Sequence, residues 1–111
     1  MGAHVAANCV GKQDKAKFWV YFDRIFDGAK RTPETLTGPG LRKIAQETGM
    51  DMTAYDACVK DPAMVAEVRQ DIEEGTAVGV NGTPAFFING RVIEGAAPME
   101  SFTTIIDEEL K

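Results

Sequence analysis

The stretch "GVNGTPAFFING", Gly79–Gly90, decides how this sequence folds. Asn89-Gly90 lies between the apolar runs "AFFI" and "RVIEG", a strong short-range hairpin signal because both turn residues take positive φ. Pro84 stands at the mouth of the first strand, where its missing N–H removes one ladder donor. Ala85–Ile88 shows no polar–apolar alternation, and a strand apolar on both faces belongs inside a sheet covered on both sides. A two-stranded hairpin by itself is marginal in water. No other stretch reads convincingly as a strand; "FWVYF" has the composition, but its flanks are helical. The sheet is therefore expected to be incomplete within these 111 residues.

Outward from the hairpin, the chain reads as helices. "AHVAANCV" is helix-compatible, and Gly11 predicts a kink or break after it. "DKAKFWVYFDRIF" follows with Asp14 as N-cap; Phe18, Phe22 and Ile25 form its expected inner stripe, widened by Trp19 and Phe26, with Tyr21 at the edge. Gly28 predicts a stop, and Pro33, Gly38, Pro39 and Gly40 predict a loop. "LRKIAQETGM" resumes as a helix with Leu41, Ile44 and Ala45 inward and Gly49 as its left-handed stop. Asp51 caps a helix that turns Tyr55 and Cys58 inward. Asp61-Pro62 starts another, with Met64, Val65, Val68 and Ile72 inward and Gly75 as its end. After the hairpin, "APMESFTTIIDEELK" closes the chain as a helix with Phe102, Ile105, Ile106 and Leu110 on one face.

Composition narrows the function classes. The length suits one domain, with 44% hydrophobic and 26% charged residues. A net charge of −5 argues against nucleic acid and anionic lipid as partners. No stretch approaches the roughly 20 apolar residues of a membrane helix. The N-terminus lacks the basic and apolar regions of a signal peptide, and the sixth residue is not the Ser or Thr of a myristoylation signal. His4 and two cysteines do not make a zinc site, so no metal and no cofactor is expected. No phosphate-loop pattern occurs. The acidic runs "DIEEG" and "DEEL" read as solvated helix faces, and Phe18, Trp19, Phe22 and Phe26 read as core.

Three segments, "AANCVGKQDKAKFWVYFDRIF", "LRKIAQETGMDMTAYDACVKD" and "GVNGTPAFFINGRVIEGA", together resemble DsbA-like thiol–disulfide oxidoreductases of the thioredoxin fold. The resemblance runs from about Ala3 to Leu110. It implies an α/β fold, mostly helical here, with a helical subdomain over 3–78 and a cis-Pro loop, β-hairpin and C-terminal helix over 79–111. The resemblance makes Pro84 a cis-proline; an ordinary trans turn proline is the alternative. It places a peptide-binding surface at Val80, Gly82, Thr83 and Pro84, with the backbone of Thr83 taking substrate peptide as an added strand. The family acts mostly in the periplasm or otherwise outside the cytoplasm.

The sequence departs from the family at its reactive centre. No Cys-x-x-Cys occurs, so the strand and Cys-x-x-Cys helix that begin those enzymes are expected to be absent and no catalytic residue is assigned. The resemblance implies a structural disulfide between Cys9 and Cys58. Two buried reduced thiols, or a catalytic dithiol pair, are the other readings. Three functions stay open: part of a disulfide oxidoreductase without redox activity alone, a non-catalytic module binding peptide or protein, or a self-associating remnant. The unsatisfied hairpin edge implies a homodimer, through hairpins joined across a two-fold axis or through exchanged helices.

Overall fold

The computed structural model describes residues 1–27 and 32–111. Among them, six α-helices, a short 3-10 turn and one antiparallel hairpin follow in order: α1 Gly2–Gln13, α2 Lys15–Phe26, the 3-10 turn Pro33–Leu36, α3 Gly38–Glu47, α4 Met52–Lys60, α5 Pro62–Ala77, β1 Ala85–Ile88, β2 Arg91–Glu94 and α6 Met99–Glu109. This is the mostly helical α/β composition expected, ending in a hairpin and a helix. The chain forms two compact units, Met1–Asp71 and Ile72–Lys111, with the division inside α5.

In Met1–Asp71, α1 to α4 and the start of α5 enclose one core. Val10, Tyr21, Leu41, Ala45, Tyr55 and Met64 are buried in it, each from a different turn of helix. Burying such a side chain stabilises by roughly 1.5–3 kcal/mol for the larger aliphatics. The caps follow the sequence closely. Asp14 accepts hydrogen bonds from the N–H groups of Ala16 and Lys17, Asp51 from Ala54, and Asp61 from Ala63. Gly49, at φ 86°, ends α3 in a Schellman motif: its N–H bonds to Gln46 O and the Met50 N–H to Ala45 O.

Several expectations are corrected. Gly11 does not break α1, which runs on to Gln13. A Cβ there would sit 3.2 Å from the Phe18 ring, so the glycine serves the close approach of α2. The break falls at Asp14, whose extended backbone ends α1 and begins α2. The inner face of α2 is Tyr21 and Ile25, and Phe22 points outward with Trp19 and Phe26. The Tyr21 hydroxyl donates to Leu41 O at 3.0 Å, and this partner lets a tyrosine occupy the core position. Of the four aromatics expected in the core, Phe18 is half-buried beside Gly11, while Trp19, Phe22 and Phe26 lie exposed on α2, Trp19 at 61% and Phe26 at 59%, with neighbouring rings of the four 4.7–5.5 Å apart between centroids.

The segment expected to be a loop from Pro33 to Gly40 holds the 3-10 turn and the first turn of α3. Pro39 is tolerated there because a first helical turn needs no N–H, and the Thr37 hydroxyl caps the Gly40 N–H. Gly40 is required: a Cβ would lie 2.1 Å from Glu34 O. Gly28, expected to stop α2, lies outside the described residues. Helix α5 passes through Gly75 and ends at Ala77, and Ile72 is exposed rather than inward. The left-handed residue is Gly79, at φ 92°, again with a Schellman pair: Gly79 N–H to Thr76 O and Val80 N–H to Gly75 O.

In Ile72–Lys111, the hairpin pairs Ala85 with Glu94, Phe86 with Ile93, Phe87 with Val92 and Ile88 with Arg91. Asn89 and Gly90 both take positive φ, 49° and 83°, as the turn requires. Helix α6 covers one face. The Phe102 ring meets Phe86 edge-on at 4.9 Å, and Arg91 donates to Glu108 at 2.6 Å and to Glu109 at 3.5 Å. The sheet has two strands among the described residues.

Candidate functional site

The loop from Val80 to Pro84 is built by what flanks it. Upstream, the Gly79 cap turns the chain out of α5 and fixes the Val80 N–H on Gly75 O. Downstream, Pro84 O accepts from the Gly95 N–H at 2.8 Å, which extends the hairpin ladder by one pair. Gly95, at φ 79°, was not singled out by sequence; a glycine directly after a strand is the signal that marks it. Between these two anchors lie Asn81, Gly82 and Thr83. All three are exposed, and their main-chain N–H and C=O groups make no hydrogen bond among the described residues. The Thr83–Pro84 peptide bond is cis. Gly82, Thr83 and Pro84 are exposed and Val80 is half-buried.

Among the described residues, β1 pairs with β2 alone. Pro84 and Gly95 form a hydrogen-bonded pair, so alternation assigns the same role to Phe86–Ile93 and Ile88–Arg91. The main-chain groups of Ala85 and Phe87 therefore point away from β2. They have no strand partner among the described residues. No side chain of Val80, Gly82, Thr83 or Pro84 titrates, so the polar groups offered here are main-chain donors and acceptors and the Thr83 hydroxyl.

The second locus is in Met1–Asp71. Cys9 of α1 and Cys58 of α4 are disulfide-bonded, with Cα atoms 5.9 Å apart. The chain has two cysteines and neither is free, so it contains no thiol. Two further contacts hold α4, and no local sequence signal marks either. The Gln13 side-chain amide accepts from the Asp51 N–H at 3.0 Å and donates to Asp51 O at 3.1 Å. Arg42 of α3 grips Asp56 of α4 through two bonds of 2.9 Å. That contact holds the Asp56 carboxyl below the usual aspartate range. Burial pushes the phenols of Tyr21 and Tyr55 up. These groups are structural: they tie α1, α2, α3 and α4 together.

Among the described residues, no cluster of three or more His, Cys, Asp or Glu is placed to hold a metal, and His4 is exposed. No described helix is long and apolar enough to cross a membrane.

Comparison with known proteins follows the same lines. The sequence model of the DSBA-like thioredoxin domain matches residues 1–107. Probable disulfide bond formation protein D of Bacillus anthracis is 28% identical over 109 residues, which are 96% of this chain and 49% of that protein. Disulfide bond formation protein D of Bacillus subtilis is 24% identical over 120 residues, covering 98% of this chain and 50% of that protein. The Na(+)/H(+) antiporter NhaA of Herminiimonas arsenicoxydans is 27% identical over 94 residues, 85% of this chain and 14% of the antiporter. The chain spans about half the length of the curated Bacillus relatives it matches. No solved structure matches. Its match to the DSBA-like thioredoxin domain over residues 1–107 places the chain in the DsbA-like disulfide oxidoreductase family.

Proposed function

We propose that these 111 residues form the polypeptide-docking part of a DsbA-like thiol–disulfide oxidoreductase and do not catalyse the reduction or exchange of substrate disulfides on their own. The observation that carries this reading is the pairing of the chain's two cysteines with each other. To open a substrate disulfide the chain would need a thiolate of its own, and with both cysteines paired it has none. What the chain does offer is the exposed loop at Gly82 and Thr83 and the open edge of β1. An extended peptide adds there as a strand, bound by main-chain groups and therefore tolerant of sequence. The reactive dithiol belongs to sequence outside these residues, consistent with relatives named for disulfide bond formation that are about twice as long.

An insulin-reduction assay tests this. The chain is expected to leave the rate of insulin precipitation by dithiothreitol unchanged. Acceleration that disappears in Cys9→Ser or Cys58→Ser would refute the proposal.

The open hairpin supports a second reading, self-association. Two copies join hairpins across a two-fold axis into a four-stranded sheet, or exchange helices. The apolar, exposed side of the hairpin favours it, as argued in the Discussion.

A further inference from the structure

The two residues of the Cys9–Cys58 bond differ in exposure. Cys9 is 1% exposed, on the inner face of α1 with Ala6 and Val10. Cys58 is half-buried near the end of α4, next to exposed Ala57 and two residues before exposed Lys60. A thiolate displaces sulfur from sulfur in line, so it must reach the attacked atom on the side opposite the leaving one. Solvent does not reach Cys9.

We infer that Cys58 is the single entry point for low-molecular-weight thiols, which form a mixed disulfide there. The thiolate sulfur bonds to Cys58 Sγ as the Cys58–Cys9 bond breaks. The electron pair leaves on Cys9 Sγ, which then takes a proton. One disulfide replaces another, and no further oxidant or reductant is consumed. Expulsion of a thiolate into an apolar core is disfavoured, because burial penalises the charged form. Opening is therefore slow. Return is intramolecular, because Cys9 remains beside the adduct, though its buried thiol must first lose a proton. The Gln13–Asp51 clasp holds α1 against α4 while the bond is open. This inference concerns the modification of a structural bond and stands whether or not the chain docks peptides.

The experiment treats the folded protein with excess glutathione, quenches with acid, alkylates with N-ethylmaleimide in urea, and maps tryptic peptides 1–12 and 44–60 by mass spectrometry. Glutathione is expected on 44–60 over 1–12 by about tenfold, with the maleimide on Cys9. The same reaction in urea, where both sulfurs are exposed, is expected to bring the ratio to within about twofold. An even split in the folded protein, a preference for Cys9, or no adduct with reduction at the rate of global unfolding would each overturn the inference.

Discussion

Phe87 and Val92 face each other across the hairpin, 45% and 42% exposed, on the side opposite Phe86 and α6. Directly opposed strand residues form the unit of side-chain stabilisation in a sheet, and here the pair is apolar and uncovered. The adjacent edge of β1 carries unpaired main-chain groups. Together they make a surface that rewards pairing.

Self-association follows from that surface. Sedimentation equilibrium at micromolar concentration is expected to show a dimer. Phe87→Lys puts a charge on the outer face without touching the Phe86–Phe102 contact, and is expected to weaken the dimer by about tenfold or more. A compact monomer at these concentrations would contradict the proposed homodimer.

The disulfide closes a long loop. On the loop-entropy estimate, a link spanning 49 positions stabilises by about 4 kcal/mol. The double variant Cys9→Ala/Cys58→Ala is expected to lose about that much in urea unfolding while keeping its helical circular dichroism, because the core and the Gln13–Asp51 clasp remain. A loss of under about 1 kcal/mol would show that the bond contributes little.

Tyr21 gives the helical unit a weakness at high pH. Burial raises its phenol above the ordinary value of 10.0. In the unfolded chain the phenol ionises near that value, while the folded chain keeps its proton. The unfolded state thus binds fewer protons above pH 10, and stability falls as pH rises. The contribution is fully present below the unfolded value and fades toward the folded one. Tyr21→Phe is expected to cost about 1 kcal/mol at neutral pH through the lost bond to Leu41 O. It is also expected to flatten the alkaline limb of the stability profile. Tyr55, raised in the same direction by burial, leaves a residual slope.

How far the sequence was legible depended on whether a feature is local. Asp14, Asp51 and Asp61 read correctly because a cap needs only its own few neighbours, and Asn89-Gly90 because the turn demands positive φ. The end of α5 was misplaced because Gly75 and Gly79 both qualify by type; the Val80 N–H bond to Gly75 O decides between them. Helix α2 carries aromatics around most of its circumference, so periodicity does not select a face. The choice of Tyr21 over Phe22 was made by Leu41, 20 positions away, which no local pattern reveals. Val80, Gly82, Thr83 and Pro84 were grouped by family resemblance. The bond from the Gly95 N–H to Pro84 O, which anchors them, joins the two ends of the hairpin and shows in no local pattern.

The central claim is that this chain docks extended polypeptide at the loop before β1 without thiol chemistry. The direct test is an amide NMR titration of the folded protein with an unstructured, cysteine-free peptide. Shifts are expected at Asn81, Gly82, Thr83, Ala85 and Phe87, weakened several-fold in Pro84→Ala, which loosens the chain at the mouth of β1. Shifts absent from that segment, or binding unchanged by Pro84→Ala, would contradict the account.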